Sequence, residues 1–87
     1  MTREEAEEFC EGEEGVLFAD GFDDCILGVV NTPSTKICYN ADKMIHSLIN
    51  KDNLTFEEAT EHFSFNIEGA YIGEYTPLYI WGVDTDY

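Results

Sequence analysis

The spacing of apolar residues in this chain changes at Asn40, and that change limits what it can fold into. Upstream lie three short apolar runs of strand length, at 16–19, 25–30 and 36–39, parted by turn residues. Downstream, Ala41, Met44, Ile45, Leu48 and Ile49 recur at helical spacing behind Asn40, a residue suited to capping. A period of two giving way to a period of 3.6 calls for a sheet with helices laid against it, an α+β fold.

Local signals fill in the order. Thr2-Arg3-Glu4-Glu5 is a capping box that opens a helix over about 3–10, with Ala6, Phe9 and Cys10 turned inward. VLFA at 16–19 reads as the first strand, and Asp20-Gly21-Phe22-Asp23-Asp24 as a hairpin turn into CILGVV at 25–30. Gly28 marks a bulge or a close backbone approach. Asn31 to Ser34 is a second turn, and KICY at 36–39 a third strand, completing an antiparallel meander. Thr55-Phe56-Glu57-Glu58 is a second capping box, with Leu54 and Ala59 as its hydrophobic staple. Phe56, Ala59, Phe63, Ile67 and Ala70 form that helix's inner stripe, which Gly69 and Gly73 break. TPLYIWGV is apolar on both faces and reads as a strand covered on both sides. The expected order is α-β-β-β-α-α-β: one small domain over 1–87, a mostly antiparallel sheet with helices packed on one face. Residues 1–15 form its acidic N-terminal helix and 84–87 a frayed tail.

Eighty-seven residues make one domain. A domain of that size buries only about 60% of its unfolded surface, so its margin is thin. No apolar run approaches a membrane span, and the acidic start is unlike a signal peptide. Cys10, Cys25 and Cys38 are odd in number and lack CxxC spacing, which fits buried free thiols in a reducing cytoplasm.

The net charge is −15, from 19 acids against four bases. Arg3, Lys36, Lys43 and Lys51 are too few and too scattered for a phosphate groove, so direct nucleic-acid binding and anionic membranes are disfavoured. Residues 1–24 carry ten acids against one base, a net of −9, so the charge is polarised. The total is of duplex magnitude: a domain about 30 Å across spans B-DNA carrying roughly 18 charges.

From residue 17 to about 80 the chain resembles a family of small proteins common in tailed-phage genomes. DGFDDCILGV matches its DGF(D/E)(D/E) turn and apolar strand. EEATEHFSFNIEGAYIGEYTP matches its EEAxExFxFNxxGAYxGExTP block. The resemblance implies a phage protein acting on a host component in a bacterial cytoplasm, and it carries no catalytic residues with it. The acidic residues 3–14 lie outside the pattern.

The leading reading is a non-enzymatic binder without cofactor or metal. Its acidic face is built by Glu4, Glu5, Glu7, Glu8, Glu11, Glu13, Glu14, Asp20, Asp23 and Asp24, with Phe22 as apolar anchor. That face docks on a basic surface of a host protein, one that ordinarily holds nucleic acid, in the manner of a DNA mimic. Plain solubility is the competing account of the same charge. Asp20, Asp23 and Asp24 lack the alternating ligands of a calcium loop. His46 and His62 match no zinc spacing with the cysteines, and His62 follows Glu58 by four as an exposed pair. A second candidate site is a pocket of Asn66, Tyr71, Glu74, Tyr75 and Thr76, for a nucleotide signal. A third reading is a structural component, a homo-oligomer that buries TPLYIWGV and Tyr87.

Overall fold

Three helices begin where their caps lie. In the computed structural model, which describes residues 1–31, 33–70 and 72–83, α1 spans Arg3–Phe9. The Thr2 hydroxyl accepts the Glu5 N–H at 3.1 Å, and Glu5 Oε1 accepts the Thr2 N–H at 2.8 Å. Asn40 Oδ1 accepts the Lys43 N–H at 3.1 Å and starts α2, Ala41–Asp52, which ends on Asn53 in the left-handed region. Thr55 and Glu58 cap α3, Phe56–His62, through reciprocal bonds of 3.1 and 2.9 Å. Such caps contribute about 1 kcal/mol each. The chain then widens without a break into a π-helix over Phe63–Glu68.

The sheet order is β1-β2-β3, with β1 Ile26–Val30, β2 Lys36–Asn40 and β3 Leu78–Ile80. β1 and β2 pair antiparallel, with an irregularity between Ile26 and Gly28 where the glycine signalled one. β3 returns beside β2 in parallel, Tyr79 opposite Tyr39, because two helices carry the chain back across the sheet. Ile37, Tyr39, Met44 and Phe63 are fully buried. Tyr79 stacks on Tyr39 at 6.1 Å, and the Phe63 ring meets Tyr79 and Trp81 edge-on, at 5.4 Å each. The result is a small α+β domain with, among the described residues, three α-helices and a three-stranded sheet.

Three expectations need correction. The run 16–19 is no strand and the meander has only two members. Its backbone is held instead by a side chain: the Ala19 N–H donates to the buried Tyr39 hydroxyl at 2.7 Å. The turn after it leads into a 3₁₀ turn, Asp23–Cys25, not across a hairpin. The TPLYIWGV strand is covered on one side only. Tyr79 packs against the core, whereas Leu78 and Ile80 are each 40% exposed. The tail at 84–87 and Tyr87 lie outside the described residues.

The principal extents are 40 × 26 × 20 Å, longer than the 30 Å expected of a sphere. A duplex of that long axis carries roughly 24 phosphates, against 15 net charges here. The charge density therefore falls short of B-DNA.

Candidate partner-binding surface

Two small residues seat α1 on the body. Ala6 and Cys10, one turn apart, are buried, which lets the helix backbone approach β1 closely. Phe9 sits about 60° round the helix from Ala6. It is 63% exposed, where the sequence had placed it inside. Every glutamate of α1 and of the loop to Gly15 is exposed, as are Asp20, Asp23 and Asp24.

Some of these carboxylates serve the fold. Arg3 donates to Glu7 at 3.2 Å and to Asp23 at 3.2 Å, and its guanidinium carbon lies 3.8 Å over the Phe18 ring. Glu5 caps α1. The Thr2 N–H and then the Thr2 hydroxyl hold its carboxyl below the usual range. Glu13 accepts the Tyr75 hydroxyl at 3.3 Å, and the Tyr75 ring packs within 3.5 Å of where a Cβ on Gly15 would stand. Asp24 accepts the Cys25 thiol at 3.7 Å. Glu4, Glu8, Glu11, Glu14 and Asp20 have no side-chain partner among the described residues, so their charge is turned wholly to solvent.

Phe22 does not serve as the anchor expected of it. Its ring is partly buried against the core and lines a hollow of about 280 Å³ with Asp20, Leu48, Lys51 and His62. Lysines lock this turn: Lys43 Nζ donates to the Asp24 carbonyl at 2.8 Å and Lys51 Nζ to the Gly21 carbonyl at 3.1 Å. Phe9, the last residue of α1, is the exposed aromatic group of the acidic segment.

The residues of the second candidate site do not share one hollow. Asn66, on the π-helix, lines an open hollow of about 430 Å³ with Leu54, Glu58, Glu61, His62 and Phe65. Its Nδ2 lies 3.2 Å from His62 Nδ1, so His62 turns to Asn66 and not to Glu58. Glu74 and Thr76 line another hollow, of about 390 Å³, with Lys36 and Pro77. There Glu74 accepts the Ser34 hydroxyl at 3.1 Å. The Thr76 hydroxyl accepts the Ile72 N–H at 2.8 Å and donates to the Gly73 carbonyl at 2.7 Å. Tyr75 belongs to the acidic loop, and Tyr71 lies outside the described residues. Sequence reasoning placed Phe9 and Phe56 on inner stripes, and both are exposed; it assigned no place to Phe65, which is exposed too.

Burial disfavours the thiolate at all three cysteines. Burial pushes Cys25 up to about 12, with the neighbouring Asp24 adding to it, and raises Cys10 and Cys38 as well. Among the described residues no group of three His, Cys, Asp or Glu side chains could hold a metal ion, and no helix is long and apolar enough to cross a membrane. No family model, curated protein or solved structure matches this chain.

Proposed function

We propose that this chain is a phage-type, non-enzymatic protein that captures a basic surface of a host bacterial protein and so inhibits or modulates it. The observation that carries the reading is α1 with its following loop. Glu4, Glu8, Glu11 and Glu14 have no side-chain partner among the described residues, and Phe9 in the same segment is exposed. Unpaired charge speeds encounter, and a desolvated aromatic ring supplies affinity that charge alone does not. The partner's surface is one that ordinarily holds nucleic acid. The lower charge density relative to a duplex favours docking in part of such a groove over imitation of a full DNA segment. The resemblance to tailed-phage proteins supports a host component as the target.

The nucleotide-signal reading is weaker, because the Asn66 hollow is lined by two glutamates and no lysine or arginine. A thermal-shift screen with nucleotides tests it.

Capture from bacterial lysate at low and high salt tests the main reading. One partner is expected at about 50 mM salt and is lost by about 500 mM, where the screening length shrinks to a few ångströms. Changing Glu4, Glu8, Glu11 and Glu14 together to Gln removes it at low salt, and Phe9→Ala weakens it with thermal stability unchanged. Capture that is flat with salt and indifferent to the four glutamates refutes the reading.

A further inference from the structure

The chain's own arginine shows how this protein holds a guanidinium. Arg3 lies 3.8 Å over the Phe18 ring and donates to two carboxylates, Glu7 and Asp23. The open hollow at the junction of α3 and the π-helix contains the same groups. It has one phenylalanine, Phe65, and two carboxylates, Glu58 and Glu61, and no lysine or arginine among its lining residues. We infer that this hollow receives an arginine side chain of the basic partner, a second point of engagement away from α1. The inference rests on the proposed capture of a basic surface.

Three features favour an arginine there. The Phe65 ring is 76% exposed and thus free to be stacked upon. A guanidinium is planar and weakly hydrated, so it can lie on that ring while its fork reaches carboxylates, which an ammonium does less well. Glu58 and Glu61 are three residues apart on one helix, as Glu57 and Glu61 are four apart, and like charges at those spacings repel. A cation between Glu58 and Glu61 relieves that repulsion. Glu58 keeps one oxygen in the capping bond to the Thr55 N–H, which fixes its carboxylate in place. The Asn66–His62 contact orients two polar side chains of the lining. The π-helix places Phe65 and Asn66, and π-turns are found often at functional sites. The hollow borders the acidic turn, since His62 lines both this hollow and the one beside Asp20 and Phe22.

The test is amide NMR of the whole 15N-labelled chain, titrated with the capped peptide Gly-Arg-Gly. Matched peptides carry lysine, or citrulline, the neutral isostere of arginine. The expected result is saturable shifts confined to residues 58–66 and the Asn66 side-chain amide. They should be about tenfold weaker with lysine and absent with citrulline. Phe65→Ala and Glu61→Gln each abolish them, and Glu58→Gln, which keeps the cap, weakens them. Replacing the four α1 glutamates leaves them intact. Shifts spread over all exposed carboxylates without saturation, or equal shifts with citrulline, overturn the inference. If the peptide fails while lysate capture stays salt-dependent, only this hollow is refuted. If capture itself is flat with salt, the parent reading falls.

Discussion

The π-helix closes on Gly69, and Gly69→Ala tests why glycine stands there. The Gly69 N–H donates to the Ser64 carbonyl five residues back, at 3.0 Å. A Cβ on residue 69 would stand 2.8 Å from that same oxygen, with φ an ordinary −77°. The demand for glycine is therefore steric crowding by the widened turn and not backbone sign. Alanine needs the Ser64 oxygen to retreat from 2.8 Å to beyond 3.0 Å, which pulls at the closing hydrogen bond. Losing that bond costs about 1 kcal/mol, and the packing strain adds about 1–3 kcal/mol. The stiffer unfolded chain returns about 0.4–1 kcal/mol. The net loss is about 1–3 kcal/mol, or a Tm lower by roughly 5–20 °C in a domain of this size. Gly28→Ala is the control, because a Cβ there meets nothing within 4 Å. Thermal melts by circular dichroism and urea titration read both variants. A Gly69→Ala protein as stable as Gly28→Ala, or more stable than the parent, refutes the account of the π-turn. It would also remove the reason given for where Phe65 and Asn66 lie.

Two further outcomes follow from the buried groups. Burial pushes Tyr39 up to about 12, from an ordinary 10.0, and Cys25 up to about 12, from 9.0, so both are neutral when folded in mild alkali. Stability is intact below pH 9, and it falls as pH rises from 9 toward 12 because the unfolded chain ionises first. Each such group removes about 1.4 kcal/mol per pH unit in its window, to be read by urea midpoints across pH 7–11; a flat profile refutes it. Phe63 touches both Tyr79 and Trp81, so Phe63→Leu should cost about 1–2 kcal/mol. It should also shift Trp81 fluorescence, and an unchanged emission spectrum counts against the edge-on contact.

What could be read from the sequence was what local chemistry decides. The Thr2–Glu5 and Thr55–Glu58 boxes and the Asn40 cap lie within three residues of the groups they satisfy, so spacing alone places them. The stripe Ala41, Met44, Ile45 and Leu48 is buried as its period requires. The misses are contacts between distant residues. VLFA has strand composition, yet a strand needs a ladder, and the Tyr39 hydroxyl took the Ala19 N–H twenty residues away. Phe9 and Phe56 sit at the edges of their stripes, where the small Ala6 and Ala59 make the contact and the rings swing outward. The candidate pocket at Asn66 divided because its members lie on a π-helix and on a loop that docks against Ser34. No residue type announces an i to i+5 turn in advance. Gly69 read as a terminator, and it is one only because of the carbonyl behind it.

The placement of the few positive charges bears on whether the acidic face recognises anything. Solubility needs net charge alone, on any side and on any flexible segment. Docking needs that charge held still, since each group ordered on binding subtracts from affinity. Arg3 ties α1 to Asp23 and Phe18, while Lys43 and Lys51 hold the carbonyls of Asp24 and Gly21. Three of the four bases thus clamp one stretch, 18–24, that has no sheet hydrogen bonds of its own. Lysines bonded to the carbonyls of Asp24 and Gly21 neutralise no carboxylate of the turn directly. Tyr75 does the same for the loop at Glu13 and Gly15 from the opposite end of the chain. The acidic segment is fixed at both ends by contacts that neutralise little of it. On the proposed reading, that arrangement lowers the cost of presenting a preformed charged surface to a cationic one.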